Sequence, residues 1–214
     1  MDVYRTDEEQ IEVLKRWFEE NGISVIAGIV LGLGAIFGWR GWQNHKIEQA
    51  GAASLLYQKM IIAERDDDNR DKARETAEKI VADYGSTAYA VFAKLTLAKL
   101  AADANDFDSA AMQLRWALEH TNEKSLEHLV RLRLARVVIA QGNYDAALKL
   151  LESGDPGQFE SGYDELRGDI FTLKGKLEPA RNAYQQAITN KRASHNDISA
   201  LQMKLDDLGQ IGQQ

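Results

Sequence analysis

One long apolar run stands out in a chain whose other segments mix apolar and polar residues at helical spacing. From Asn21 to Trp39 there is no charged residue, and Ser24 is the one polar residue in the run GISVIAGIVLGLGAIFGW. A helix over these positions is about 28 Å long, close to the roughly 30 Å hydrocarbon core of a bilayer. The run therefore predicts one transmembrane helix, which we place at residues 23–42.

Aromatic residues flank this run, as is typical of the two interfaces of a membrane. Trp17 and Phe18 precede it, and Trp39 and Trp42 lie at its far end. The alternative interpretation is a signal peptide cleaved at the small residues 50–52. A signal peptide begins with a short basic stretch, whereas about twenty residues with more acidic than basic side chains precede this run, so the anchor is favoured.

Residues 1–22 are predicted to form a short segment with an amphipathic helix that ends at Asn21-Gly22, a typical helix stop. The orientation of the span stays open, because lysine and arginine are equally frequent on its two sides. The residues on one helical face are Ile11, Leu14, Trp17 and Phe18, and the flanking cations are Arg5, Lys15 and Arg16 before the span and Arg40, Lys46 and Lys59 after it.

Two glycine pairs lie inside the apolar run. Gly28 with Gly32 and Gly34 with Gly38 have the small-xxx-small spacing that lets another membrane helix approach closely. Glycine is also common in membrane helices that make no such contact. We therefore take these four residues as candidates for a helix contact in the bilayer.

Three later segments align with one another and indicate an internal repeat. NDFDSAAMQLRWAL, GNYDAALKLLESG and GKLEPARNAYQQAI each begin at a polar turn and continue as a stripe with spacings of 3, 4 and 3 residues. Large and small side chains alternate along each stripe, as on the buried face of a helix. The stripes are Phe107, Ala110, Leu114 and Ala117; Tyr144, Ala147, Leu151 and Gly154; and Leu177, Ala180, Tyr184 and Ala187.

The repeat length matches a known class of helical repeat. Ala110 and Ala147 are 37 residues apart and Ala147 and Ala180 are 33 apart, close to the roughly 34 residues of the tetratricopeptide repeat, or TPR. A first helix precedes each stripe and completes the pair, with small residues where the two helices cross closely. The corresponding residues of these first helices are Leu97-Ala98, Leu134-Ala135 and Gly168 with Phe171.

A degenerate earlier unit spans residues 47–84. Ala73, Ala77 and Ile80 lie on its second helix, and Arg70 stands where the other units have an aromatic residue or leucine. The acidic run 66–69 between its helices suggests a calcium loop, but such a loop needs glycine two positions later. A solvated turn is therefore the favoured interpretation.

The chain is predicted to end in a capping helix. Asn196 or Asp197 can cap a helix that runs to Leu208 and closes the open edge of the array. Residues 209–214 then form a flexible tail. The predicted fold is all-α: a single transmembrane helix, a TPR-like solenoid of three to four helix pairs over residues 43–208, and this cap.

Composition and motifs argue against catalysis. The net charge of -7 is unlike a nucleic-acid-binding surface, and the absence of cysteine removes thiol chemistry and zinc-thiolate sites. No metalloprotease, phosphate-loop or nucleophile-elbow motif is present. We expect no enzyme activity, no cofactor and no metal. The histidines are predicted to lie at the surface, in separate units: His45, His120, His128 and His195.

These residues together resemble one bacterial family. The acidic start, LKRWFEENG, the glycine-rich span ending in GWRGWQNH, then LRLARV and QGNYDAAL are similar to the YfgM family of Gram-negative bacteria. The resemblance covers essentially the whole chain. It implies a single-pass inner-membrane protein with residues 1–22 in the cytoplasm and a periplasmic TPR-like domain associated with the SecYEG translocon and the chaperone PpiD.

The expected function is therefore protein binding. The anchor would hold the solenoid at the translocon exit, where it contacts a chaperone or an emerging unfolded client protein. The alternative is a TPR scaffold or regulator that sequesters a signalling partner independently of transport. A periplasmic domain bound to SecYEG favours the first function, and a cytoplasmic domain favours the second. Nucleic acid is not an expected partner.

Overall fold

The computed structural model describes residues 7–152, 154–193 and 197–211, and their regular structure is entirely helical. Residues 1–6 of the predicted N-terminal segment and 212–214 of the predicted tail lie outside this range. The chain divides into two units, Met1–Gly51 and Ala52–Gln214. The helices of the described residues are α1 (Asp7–Glu64), α2 (Arg70–Asp83), α3 (Ala88–Asp103), α4 (Phe107–His120), α5 (Lys124–Ala140), α6 (Tyr144–Leu151), α7 (Glu160–Leu173), α8 (Leu177–Ala193) and α9 (Ser199–Ile211).

The first unit consists of the early part of α1. Its apolar side chains are not covered by protein: Ile23 is 88% exposed and Leu31 is 74% exposed. In the part of the chain that the structure describes, one helix, from Leu14 to Glu64, is long and apolar enough to cross a membrane. An exposed apolar surface of this extent is typical of a segment that contacts a membrane or another protein. The predicted limits of the span at residues 23 and 42 stay predictions.

The predicted helix stop at Asn21-Gly22 is wrong, because α1 continues through both residues. The Asn21 amide donates a hydrogen bond of 3.0 Å to the Trp17 carbonyl one turn earlier, so the polar side chain is satisfied inside the helix. A single glycine in a helix costs only about 1 kcal/mol.

The second unit contains the repeats, and its turns share one hydrogen-bond pattern. Asn105, Gly142 and Gly175 adopt positive φ angles of 59°, 75° and 69° immediately after α3, α5 and α7. The next amide in each turn bonds to the carbonyl five residues earlier, as in the Schellman motif. Asparagine and glycine tolerate this left-handed conformation better than other residues. The repeat alignment predicted from the sequence is therefore confirmed at its turns.

The stripes predicted on the second helices are buried apart from their first residues, Phe107, Tyr144 and Leu177, which are half-buried, and apart from Gly154. Ala110, Leu114 and Ala117 in α4 and Ala180, Tyr184 and Ala187 in α8 are at most 3% exposed. In the middle unit Ala147 and Leu151 are buried, but Gly154 is exposed with a φ of 79°. Helix α6 ends at Leu151. The assignment of Gly154 to the stripe is therefore wrong, since this residue forms a turn after a shorter helix.

The last helix pair uses an unusual size combination. A Cβ atom added to Gly168 in α7 would lie 2.4 Å from Cε1 of Tyr184 in α8. At the aligned positions the other units have Ala98 and Ala135 in place of Gly168, and Leu114 and Leu151 in place of Tyr184. Because the Tyr184 ring fills the space beside α7, the facing position 168 has room only for glycine.

The two ends of the array are closed by further helices. At the start, Met60 from the end of α1 packs with Ala73, Ala77 and Ile80 of α2 and with α3, which confirms the buried stripe of the degenerate unit. At the end, Leu201 and Leu208 of α9 are buried against α8. Asp197 accepts a hydrogen bond from the Ser199 amide at the start of α9, and Asn196 lies outside the described residues. The fold class is therefore confirmed, and α9 extends to Ile211.

Candidate protein-binding groove

A groove runs along the first helices of the early units. It consists of two adjoining hollows of about 280 Å³ and about 240 Å³, one bounded by α1, α3 and α5 and the other by α3, α4 and α5. Both hollows are lined by Leu95, Lys99 and Arg133. We call this surface the first-helix groove. Stacked helix pairs commonly bind other proteins through such surfaces.

Two aromatic side chains, Tyr57 and Phe92, line the first hollow. The ring of Tyr57 in α1 lies 5.6 Å from that of Tyr89 and 5.7 Å from that of Phe92, both in α3. These tilted arrangements are favourable for aromatic pairs. Ile61 and Leu129 complete the apolar wall. Leu129 is 36% exposed, so part of this wall faces solvent.

The second hollow combines an apolar floor with a basic edge. Ala98, Leu114 and Val137 form the floor, and Lys99, Arg133 and Arg136 line the edge. Lys99 is paired with Glu64, with 2.7 Å between Nζ and Oε1. Arg133 and Arg136 are exposed, and neither has an ion-pair partner within the described residues. Three residues apart on α5, their guanidinium groups share one side of the helix.

The C-terminal end of the array carries acidic groups that are already paired. Lys204 of α9 places Nζ 2.8 Å from Glu165 Oε1 and 2.7 Å from Asp169 Oδ1, both in α7. The Tyr184 hydroxyl donates a 2.8 Å hydrogen bond to the same Asp169 oxygen. We call these four residues the α7–α9 polar cluster. It joins the capping helix to the last repeat.

The polar cluster shifts the protonation of its members. Burial raises the pKa of Tyr184, and the hydrogen bond with Asp169 adds to this effect, while the hydrogen bond with Thr172 opposes it. Burial alone would lower the pKa of Lys204. The hydrogen bonds to Asp169 and Glu165 outweigh burial, so the pKa of Lys204 is raised. Lys204 therefore stays charged throughout the neutral range.

His128 is not the surface histidine that the sequence predicted. Its Nδ1 lies 2.8 Å from the hydroxyl of Tyr163, which is 1% exposed, and its ring stacks on Phe159 at 5.4 Å between centroids. These contacts join residues far apart in the sequence, which explains why the local pattern missed them. His45 and His120 are exposed as predicted, and His195 lies outside the described residues.

The four candidate glycines of the membrane helix occupy two separate faces. At about 100° per residue, Gly34 is displaced by about 120° from Gly28 around the helix axis. A Cβ atom added to Gly28, Gly32, Gly34 or Gly38 would meet no atom within 4 Å. One partner helix would therefore contact one pair but not both, and the contact itself stays a prediction.

The repeats, their turns and the capping helix define a TPR-like α-helical repeat protein. The tetratricopeptide repeat-like domain family matches residues 15–210. The Escherichia coli (strain K12) ancillary SecYEG translocon subunit is 34% identical over 208 residues, which cover 97% of this chain and 99% of that protein. The protein of the same name from Haemophilus influenzae is 37% identical, over 94% of this chain and 97% of the relative. The chain belongs to the YfgM family.

The groove was not predicted from the sequence, although its residues were visible. Arg133 and Arg136 lie within the segment LRLARVV, which reads as an ordinary amphipathic helix with a solvated face. Their relation to Tyr57 and Phe92 depends on the stacking of separate helix pairs. The one available signal was the alignment of Lys99 with Arg136, each directly after the small residue at a helix crossing.

Proposed function

We propose that the protein is a non-catalytic, membrane-anchored binding module that associates with the SecYEG translocon and assists the handling of translocated proteins. The observation that carries this proposal is the near full-length similarity to relatives named ancillary SecYEG translocon subunits. The similarity includes both the apolar helix and the repeats. A module of this kind acts by holding a binding surface near the site where partners emerge.

The structure supports the binding role through the first-helix groove. Its apolar walls and basic edge belong to a fold that serves mainly to present surfaces to other proteins. A PpiD-like chaperone and unfolded client proteins are the proposed partners. Within the described residues, no group of three or more histidine or carboxylate side chains is arranged to hold a metal ion.

We further propose that residues 1–22 are cytoplasmic and that the repeat domain is periplasmic. The test uses the absence of cysteine from the chain, which permits single-cysteine labelling. Glu12→Cys and Ser86→Cys place a thiol at exposed positions before and after the span. In spheroplasts, a membrane-impermeant maleimide should label position 86, and position 12 only after lysis. Labelling of position 12 in intact spheroplasts would assign the repeat domain to the cytoplasm and favour the scaffold role.

Association with the translocon is tested by purification through a tag on SecYEG. The intact chain should copurify in mild detergent, and a chain in which residues 23–42 are replaced by an unrelated apolar helix should copurify less well. Partial retention indicates that proximity contributes along with specific helix packing. A translocon preparation free of the intact chain would overturn the proposal. Site-specific crosslinking at Leu129, which is part of the groove, tests contact with a PpiD-like chaperone and with client chains.

A further inference from the structure

We infer that the first-helix groove binds an extended partner segment in which apolar side chains alternate with carboxylates. This inference rests on the proposed binding function and adds the chemistry of the segment that is recognised. It follows from three features of the described residues: two adjoining hollows with apolar walls, two exposed arginines without an ion-pair partner at their edge, and a neighbouring carboxylate, Glu64, that is already paired with Lys99.

The size of the two hollows suits individual side chains of a partner protein better than one compact small-molecule ligand. The two hollows are each smaller than the roughly 300–1,000 Å³ of typical small-molecule sites, and they lie side by side. Tyr57 and Phe92 form one hollow, and Ala98 and Val137 form the floor of the other. Successive apolar residues of an extended chain can occupy the two hollows in turn. Burial of each such side chain contributes about 1.5–3 kcal/mol before the entropy of binding is subtracted.

The charge of the groove is opposite to that of the whole chain. The chain has a net charge of -7, yet the edge of the second hollow carries Lys99, Arg133 and Arg136. Glu64 neutralises Lys99 at 2.7 Å, which leaves the two arginines available. Guanidinium groups bind carboxylates through paired hydrogen bonds, so two arginines on one helix side suit a partner with closely spaced carboxylates.

Two carboxylates of the last repeat have an internal cation of their own. Asp169 occupies the position in α7 that Arg136 occupies in α5, and Glu165 lies one turn before it. Lys204 already pairs with both carboxylates at 2.7–2.8 Å. Glu165 and Asp169 are therefore paired within the chain, whereas Arg133 and Arg136 have no ion-pair partner within the described residues.

Binding of labelled synthetic peptides to the full-length chain in phosphatidylcholine nanodiscs tests this inference. The first probe alternates leucine or phenylalanine with glutamate, the second replaces glutamate by lysine, and the third replaces the apolar residues by serine. The first probe should bind about tenfold more tightly than either of the others. Equal binding of the first two probes, or no binding of the first, would contradict the inference.

Variants separate the groove from the rest of the surface. The double substitution Arg133→Ser with Arg136→Ser should weaken binding of the first probe about tenfold. The reversal Arg133→Glu with Arg136→Glu should make the lysine probe the preferred one. The matched control is Arg74→Ser with Arg115→Ser, which removes two exposed arginines of α2 and α4 and should leave binding unchanged. Weaker binding in the control equal to that in the groove variant would assign the effect to net charge.

Two further measurements distinguish peptide recognition from lipid binding and from association with the translocon. Phosphatidylglycerol added to the nanodiscs should not displace the first probe; displacement that depends on Arg133 and Arg136 would assign the groove to lipid headgroups and overturn the inference. Copurification with SecYEG is measured on the same arginine variant. An arginine variant that still copurifies with SecYEG but no longer binds the first probe supports the inference. Failure of the intact chain to copurify with SecYEG would instead refute the proposed function. The peptide-binding result would then be interpreted by itself.

Discussion

Helices α5 and α7 place opposite charges at equivalent positions of the repeat. Arg136 follows the small residue Ala135 in α5, whereas Asp169 follows Gly168 in α7. The arginine lies on an open groove, and the aspartate is bound by Lys204 and Tyr184. Equivalent positions of the repeat therefore serve two purposes. The α5 surface is open to a partner, and the α7 surface is covered by the chain's own capping helix α9.

The last helix pair also differs from the earlier pairs in the side chains at its helix crossing. In the earlier units an alanine faces a leucine, and in the last unit Gly168 faces Tyr184. The tyrosine ring brings a hydroxyl that leucine lacks, and this hydroxyl bonds to Asp169 at 2.8 Å and lies 3.3 Å from the Thr172 hydroxyl. The exchange of alanine and leucine for glycine and tyrosine therefore gives the last crossing its polar cluster.

Among the substitutions, Gly168→Ala is expected to lower the free energy of unfolding most. The new Cβ would lie 2.4 Å from the Tyr184 ring, and overpacking typically costs about 1–3 kcal/mol. We expect a loss near the upper end, about 3 kcal/mol, since ring and helix backbone both have to move. Urea unfolding of the full-length chain in detergent, followed by circular dichroism, measures it.

Two further variants test whether the crossing is the cause. Gly162→Ala is the matched control in the same helix, since its Cβ would meet only the flexible Leu132 side chain at 3.2 Å. It should cost much less than Gly168→Ala. Adding Tyr184→Leu to Gly168→Ala recreates the pair found in the earlier units, so the double variant should be more stable than Gly168→Ala alone. Additive losses would show that the two positions are not coupled.

Lys204→Met is expected to cause the second largest loss of stability. It leaves Glu165 and Asp169 partly buried beside each other without a cation, which costs about 1–2 kcal/mol. Lys174→Met is the control, because Lys174 pairs with an Asp145 side chain that is 82% exposed, and water screens such surface pairs so that they contribute little to stability. Equal unfolding midpoints for the two variants in urea would argue against a special role for Lys204.

The polar cluster should also make the last repeat sensitive to alkali. The folded pKa values of Tyr184 and Lys204 both lie above their ordinary values of 10.0 and 10.5. A raised folded pKa contributes stability below the unfolded pKa, and this contribution is lost as the pH rises through the folded pKa. Stability should therefore begin to fall above about pH 10.

Tyr184→Phe removes one of the two groups and provides the check. Its urea midpoint should decline less steeply with alkaline pH than that of the unaltered chain. The decline should not vanish, because Lys204 remains and burial also raises the pKa of Tyr163. An identical pH profile for the two proteins would exclude Tyr184 as a source of the alkaline sensitivity.

The sequence predicted what is encoded locally. The turns at Asn105, Gly142 and Gly175 depend on residues that tolerate positive φ, and the stripes depend on spacing within one helix. The error at Gly154 arose because the same spacing continues past the end of α6. The groove and the Lys204 pairs could not be predicted in this way, since they join residues from helices that meet only after stacking.

The smallest expected change in stability concerns the turn before α8, which is the second helix of the last helix pair. Asp106 and Asn143 are the N-cap residues directly before α4 and α6, and each side chain accepts a hydrogen bond from the amide three residues later. Lys176 occupies the equivalent place before α8 and cannot accept such a bond. The backbone is the same, since the Lys176 amide bonds to Phe171 and the Ala180 amide bonds to Lys176. Lys176→Asn should therefore add a cap and about 0.5 kcal/mol of stability.

Asn143→Lys is the reverse substitution and should lower the urea midpoint by a similar amount. Opposite shifts of the two variants would mean that the turns are equivalent in geometry and differ only in the capping side chain. The last repeat would then depend for its order on the Gly168–Tyr184 crossing and on Lys204, more than on its turn. A loss of stability in Lys176→Asn would show instead that the α7–α8 turn has diverged from the earlier two, because a cap that fits their geometry would not fit there.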